Sequence, residues 1–243
     1  MKKIVLYVLV LLVFAACHHP RVIVSMSSKI HVIDSSLDEV ADKGYMEYLA
    51  PIKADLEEQL NVKIGYAPED LKVHQPECTM LNWATDALLA MARQYSPEPV
   101  DIAVVNIGGM RCNWGKGNIT FKHVFELMPF DNELVVLTLS GQDLLELCQV
   151  FAKIGGEGAA GMRIKVSNGV VTEATINGEA IDPTKQYTVA TSDYLSQGND
   201  GMLPLAKYAH MWKSEQKIRD LYIEYIQQKG VVEAHIDGRF VVE

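Results

Sequence analysis

Apolar positions in this chain repeat first with helical and then with strand periods. Between residues 38 and 60, Met46, Leu49, Ile52, Leu56 and Leu60 recur at helical spacing and predict an amphipathic helix interrupted near Pro51. A strand over 62–65 follows. A second helix over 79–92 then places Met80, Ala84, Ala87, Leu88 and Met91 on one face before Pro97 and Pro99. Residues 102–105 (Ile-Ala-Val-Val) form a short unbroken apolar run between Asp101 and Gly108-Gly109, the pattern of a strand buried on both faces. Residues 134–139 repeat that pattern.

A helix over 142–154 comes next, and then strands over 162–167 and 170–176 joined by Asn168-Gly169, a hairpin turn signal. Residues 187–190 continue the sheet. A last helix over 214–228 sets Ile218, Leu221, Tyr222, Tyr225 and Ile226 on one face and stops at Gly230. Helices interleaved with strands, some of them hairpin-linked, predict an α/β domain of the α+β type: a mixed β-sheet with flanking helices.

The N-terminal residues bear on compartment. Lys2 and Lys3 precede an apolar run over 4–16 that ends in Phe14-Ala15-Ala16-Cys17, the form of a lipoprotein export signal; an ordinary secretory signal with an incidental Cys17 has the same outline. The run of 13 residues is shorter than the roughly 20 that span a bilayer as a helix. The expected organisation is a signal peptide over 1–16, lipidation at Cys17, a tether over 17–37 and one domain over 38–243. The protein is then exported and lipid-anchored to the bacterial envelope, on the periplasmic face of a membrane.

With 22 Lys and Arg against 31 Asp and Glu, the chain is acidic, and without Lys2 and Lys3 its net charge becomes −11. Such a surface argues against a nucleic-acid polymer as partner, while a local arginine and backbone amides can still receive a small anion. Besides Cys17 there are Cys78, Cys112 and Cys148, without zinc-ligand spacing; they do not read as a disulfide scaffold, although one bridge plus a free thiol stays open.

Chemistry concentrates at three segments. Asn106-Ile107-Gly108-Gly109-Met110-Arg111 follows the 102–105 strand; its glycines permit close backbone approach and Arg111 offers a planar fork, either as an anion cradle or as an ordinary strand-end turn. Met128-Pro129-Phe130-Asp131-Asn132 closes a short helix, and Asp193-Tyr194 through Asp200-Gly201 is a polar, glycine-punctuated loop leaving a strand. Phe130 and Tyr194 are aromatics in loops, and two facing rings would make a slot for a flat heterocycle, with Asp200 an acceptor for a diol.

Gly156-Glu157-Gly158-Ala159-Ala160-Gly161 has the form G-x-G-x-x-G, but it follows a helix and precedes a strand. That is the reverse of the dinucleotide-binding order, so it reads as a flexible connection. His123 and Glu126, one turn apart, read as a solvated face, and Asp86 as a structural acceptor.

Together, Asn106 to Arg111, Gly117-Asn-Ile-Thr120, Met128-Pro-Phe130, Thr191 to Gly201 and, upstream, Glu77 to Ala87 resemble the C-terminal domain of the 5'-nucleotidase family, over most of residues 38–243. The resemblance implies a substrate-specificity domain. Phe130 and Tyr194 sandwich a base, Asp200 takes the ribose hydroxyls, Asn106 and Arg111 stand near base or phosphate, and Gly108 and Gly109 admit the ligand.

Two departures matter. Where relatives place a phosphate-contacting arginine before Glu77, this chain has Val73-His74-Gln75-Pro76, with His74 the nearest substitute and a weaker one. The Asp-x-His and Gly-Asn-His signatures of the two-metal phosphatase domain do not occur. The expectation is a chain without catalytic residues, metal ligands or cofactor of its own. It would bind a nucleoside or nucleotide as the substrate domain of a split 5'-nucleotidase, with divalent metal ions on a separate metallophosphatase chain; the alternative is a non-catalytic nucleoside- or nucleotide-binding lipoprotein.

Overall fold

The computed structural model describes Ile23 and residues 25–243; the expected signal peptide, Cys17 and the first part of the tether lie outside the described residues. The chain divides between Ala50 and Pro51 into two compact units. In the first, Ser35–Val40 form a 3-10 helix, and the Asp42 carboxylate accepts from the Tyr45 amide at 2.9 Å, opening α1 (Lys43–Leu60), whose residues from Pro51 on are counted with the second unit. Contrary to expectation, α1 runs through Pro51 without a break, and none of its residues is buried. In a helix this exposed, water satisfies the carbonyl that proline leaves without a donor.

The second unit is built on a five-stranded sheet in the order β10-β4-β9-β2-β5, with β2 Ile102–Val105, β4 Glu133–Ser140, β5 Gly158–Ala160, β9 Gln186–Ser192 and β10 His210–Lys217. β2 and β9 are parallel, pairing Ile102 with Val189 and Ala103 with Ala190; the other pairs are antiparallel. Every residue of β2 is buried, as its unbroken apolar run predicts.

Alternation sorts its side chains between two cores. Ala103 and Val105 face α2 (Thr79–Tyr95) and α5 (Ile218–Lys229), where Trp83 lies 4.9 Å from Trp114 and 5.2 Å from Tyr222, centroid to centroid. Ile102 and Val104 join Leu144, Leu147 and Phe151 of α4 (Gly141–Ile154) over a second sheet. That sheet has the order β11-β6-β7-β8, with β6 Met162–Ser167, β7 Val170–Ile176, β8 Glu179–Ala180 and β11 Phe240–Val242. Each fully buried leucine or aromatic on these faces contributes about 1.5–3 kcal/mol. The expected mixed sheet with flanking helices is thus the fold observed.

A small sheet of β1 (Lys63–Ala67) and β3 (Gly117–Thr120) leads into α3 (Phe121–Leu127). The Asn168-Gly169 turn has both residues at positive φ, 51° and 74°, as a two-residue hairpin demands.

Two further expectations are corrected. Residues 214–217 belong to edge strand β10 rather than to the last helix, because the strand continues past a bulge to pair Lys217 with Glu133, with the Ser214 hydroxyl on the Leu134 carbonyl at 2.9 Å. Residues 158–160 are not a flexible connection but the buried strand β5. A Cβ on Gly158 would stand 2.9 Å from Thr85 Cγ2, so only glycine lets β5 lie this close beneath α2. Among the described residues no helix is long and apolar enough to cross a membrane, and Cys78, Cys112 and Cys148 are free thiols.

Candidate functional site

Where β2 ends, the chain turns through a 3-10 helix, Ile107–Gly109, closed by the Gly109 amide on the Asn106 carbonyl at 3.1 Å. A Cβ on Gly109 would sit 2.8 Å from Asn106 Oδ1, so the absence of a side chain here allows the Asn106 amide to fold over the turn. The Arg111 amide then donates to the Leu127 carbonyl at 2.9 Å, joining the turn to the end of α3 and so to the Phe130 segment.

Phe130 is held from behind by α5: Arg219 donates Nη1 to the Phe130 carbonyl at 3.1 Å and Nη2 to Asp131 at 2.6 Å, its guanidinium 4.3 Å from the Phe125 ring centroid. Lys217 adds a second cation on Asp131 at 3.0 Å, and the two bonds hold the Asp131 carboxyl below its usual pKa.

On the third segment, Asp193 is the hinge pin. Its carboxylate accepts from the Glu133 and Tyr194 amides at 3.1 and 2.8 Å, while its carbonyl accepts from the Ser196 hydroxyl at 2.7 Å. Asn199 then donates to the Tyr194 carbonyl at 2.8 Å. Gly198, Asp200 and Gly201 all have positive φ, 80°, 55° and 77°, and this reversal brings the Asp200 carboxylate back over the turn after β2.

Asn106, Gly108, Gly109, Arg111, Phe130, Asn132, Tyr194 and Asp200 line one cavity of about 370 Å³, within the range of small-molecule sites. Asp200 is its polar centre, accepting from Asn106 Nδ2 at 2.5 Å and from the Tyr194 hydroxyl at 2.9 Å. The second bond holds the Tyr194 phenol protonated, above its ordinary pKa. Arg111 places one donor on the Gly108 carbonyl at 3.0 Å and its guanidinium carbon 5.9 Å from the Phe130 ring centroid, which leaves the rest of its fork for an anion. Phe130 and Tyr194 are 37% and 40% exposed, so their faces are open to a planar ring. The arrangement can stack a flat heterocycle, hold a diol at Asp200 and neutralise an anion at Arg111.

Of the residues singled out from the sequence, the structure brings together Asn106, Gly108, Gly109, Arg111, Phe130, Tyr194 and Asp200. His74 is not among them: it lines another open concavity, with Lys72, Thr79 and Lys116. Gln75 donates to the Ile154 and Gly156 carbonyls at 2.8 and 2.9 Å, fixing the segment against the end of α4 with His74 exposed.

Three further contributors carry little signal in the sequence. Asn132 lies two residues past Phe130, in a segment already marked. Arg219 gave no signal, being one cation on an amphipathic helix. Glu157, whose carboxylate accepts from the Ile107 amide, was signalled only as an acid among small residues. Elsewhere, Asp86 pairs with both terminal nitrogens of Arg239, at 2.9 and 3.0 Å, and His123 caps α3 through Thr120; both are structural roles. Among the described residues no three His, Cys, Asp or Glu side chains group as metal ligands.

Comparison with known proteins adds to this geometry. The family model described as the 5'-nucleotidase C-terminal domain matches residues 63–208. The 5'-nucleotidase of Vibrio vulnificus is 30% identical over 174 residues, covering 70% of this chain and 31% of that protein. That of Vibrio parahaemolyticus is 29% identical over 189 residues, covering 73% of this chain and 34% of that protein. The crystal structure of a 5'-nucleotidase precursor from Thermus thermophilus superposes with a TM-score of 0.72 at 26% identity, covering 84% of this chain and 43% of that one. This chain spans about a third of the length of the curated relatives it matches.

Proposed function

This chain belongs to the 5'-nucleotidase C-terminal domain family, and from that premise we propose that it holds the nucleoside part of a nucleotide and presents the phosphoester to a metallophosphatase on a separate chain. The observation that carries the reading is the convergence of Phe130, Tyr194, Asp200 and Arg111, drawn from three distant segments, on one cavity. The base stacks on Phe130 and Tyr194, each stack contributing about 1–3 kcal/mol. The ribose hydroxyls donate to Asp200, which accepts only. Arg111 meets the phosphate as a fixed charge, and with His74 outside the slot it is the principal anion contact.

Stacking, diol capture and charge pairing hold a substrate but supply no nucleophile; divalent ions on the partner chain would supply that chemistry. Export and a lipid anchor at Cys17 would keep both components at the envelope.

The test is calorimetric titration of the purified protein with adenosine and AMP, beside an assay of AMP hydrolysis with Mn²⁺ or Zn²⁺. The expected result is binding of both ligands, with turnover only when a metallophosphatase is added. Metal-dependent turnover by this chain alone would refute the division of labour, and absence of binding would refute the slot. Binding with no turnover alongside any co-purifying metallophosphatase would leave a capture protein.

A further inference from the structure

Behind the slot lies a carboxyl group that no ligand role accounts for. Glu157 immediately precedes β5, whose Gly158 pairs with Val105 at the end of β2, so its side chain meets the chain where the Asn106–Gly109 turn begins. It is 8% exposed, and it accepts from the main-chain amide of Ile107. That amide is flanked by the two functional parts of the turn. Asn106 on one side donates to Asp200, and Gly108 on the other supplies the carbonyl that orients Arg111. One buried acceptor thus fixes the peptide between the residue that shapes the diol site and the residue that aims the guanidinium.

We propose that Glu157 is a positioning residue for the slot: by holding the Ile107 N–H it sets the Asn106–Gly109 turn in the conformation that directs Asn106 toward Asp200 and Arg111 toward the ligand. The proposal rests on the nucleoside-binding reading given above. A neutral acceptor would hold the same amide without the penalty of a buried acid, so the acid adds something more.

The charged groups on the surrounding elements are mostly engaged elsewhere. On α2, Asp86 pairs with Arg239; on β6, Arg163 donates to the Asp237 carbonyl; before α2, Glu77 accepts from Asn82 and from the Asp237 amide. β2 carries no titratable side chain. Arg111 gives one donor to Gly108 and keeps the rest of its fork toward the ligand, and the charge that acts on Glu157 is that of Asp200 across the turn. Burial pushes the Glu157 carboxyl up to about 7 against the opposing Ile107 bond, and the like charge of Asp200 adds a smaller push upward.

Protonated, Glu157 still accepts from Ile107 through its carbonyl oxygen and leaves Asp200 as the slot's one carboxylate. Ionised, it sets a second negative charge behind Asp200. Asp200 then draws harder on Asn106 and the Tyr194 hydroxyl, donors that otherwise share it with a ribose diol. Nucleoside affinity therefore declines as pH rises through neutrality.

The experiment measures adenosine affinity by calorimetry at pH 6 and pH 8 for wild type, Glu157→Gln, Glu157→Ala and Tyr194→Ala; adenosine carries no group titrating in this window. In parallel, the Ile107 amide is followed by NMR, and far-UV circular dichroism checks each fold. Wild type should bind several-fold more weakly at pH 8 than at pH 6. Glu157→Gln, which keeps an acceptor, should bind equally at both. Glu157→Ala, which strands the Ile107 amide, should bind about tenfold more weakly than wild type at pH 6, show no pH dependence and lose the protection of that amide from exchange. Equal affinity of Glu157→Ala and wild type at both pH values, or a wild-type profile that Glu157→Gln reproduces, overturns the proposal. Failure of wild type to bind adenosine at either pH, with no difference from Tyr194→Ala, overturns the slot reading itself, and the Ile107 signal then still reports whether Glu157 holds the turn.

Discussion

Arg219 and Phe130 are 89 residues apart in the chain, and the guanidinium of the first donates at 3.1 Å to the carbonyl of the second. One wall of the slot is therefore secured by the last helix rather than by its own loop. The same guanidinium reaches Asp131 and stacks over Phe125, so its position is fixed on three sides. Arg219→Met should loosen Phe130 without removing it. Adenosine affinity is expected to fall about fivefold, with a melting temperature lowered by a few degrees. Calorimetry and thermal circular dichroism measure the two effects, and an unchanged affinity would show that Phe130 needs no support from α5.

Tyr194 does two things that substitution separates. Tyr194→Phe keeps the stacking face and removes the bond to Asp200, and adenosine affinity should remain within about threefold of wild type. Tyr194→Ala removes the ring, and the loss should be about tenfold or more. Equal losses in the two variants would mean that the hydroxyl, not the ring, carries Tyr194's share of binding.

Asp200 occupies left-handed backbone, at φ 55°, where asparagine is at ease and alanine is strained by about 1–2 kcal/mol. Asp200→Asn should therefore melt close to wild type yet bind adenosine about tenfold more weakly, since the diol loses a charged acceptor. Asp200→Ala should lose both stability and affinity. Denaturant melts beside ligand titrations distinguish the cases, and wild-type affinity in Asp200→Asn would remove Asp200 from the diol site.

Glu157 also predicts a dependence of stability on pH. Its folded pKa, about 7, lies above its ordinary value of 4.5, so its contribution is fully present below pH 4.5 and is lost as pH rises through about 7. At 1.36 kcal/mol per unit the loss is on the order of 3 kcal/mol. Urea melts of wild type and Glu157→Gln should coincide most nearly near pH 5 and diverge by pH 8, with Glu157→Gln the more stable. Parallel profiles would show that this carboxyl is already ionised at low pH in the folded protein.

Most of this architecture is legible from the residues because each signal is local. β2 declares itself by four apolar residues between Asp101 and a glycine pair, the hairpin by Asn168-Gly169, and the slot by aromatics placed in loops where a core would not want them. β5 escapes notice because Gly158-Ala159-Ala160 has neither periodicity nor β-branched bulk; its strand state comes from antiparallel pairing with β2, at a place where Thr85 and the Val105 carbonyl leave no room for a side chain on Gly158. β10 misleads because an edge strand facing solvent is polar, and its Ser214 to Lys217 end, bulged at Glu215 with φ 59°, continues smoothly in sequence into α5. Arg219 and Glu157 act across 89 and 50 residues, so no spacing rule reaches their roles.

The parallel pairing of β2 with β9, reinforced by the Thr191 hydroxyl on the Val104 carbonyl 87 residues away, places the slot at the junction of the most sequence-distant contacts in the sheet. Contacts of that kind raise contact order, and they form slowly because loop closure must come first. A folding chain has no slot until the segment carrying Tyr194 and Asp200 has docked. On the proposed reading, adenosine affinity should appear only once that segment has docked, later than the first helical signal.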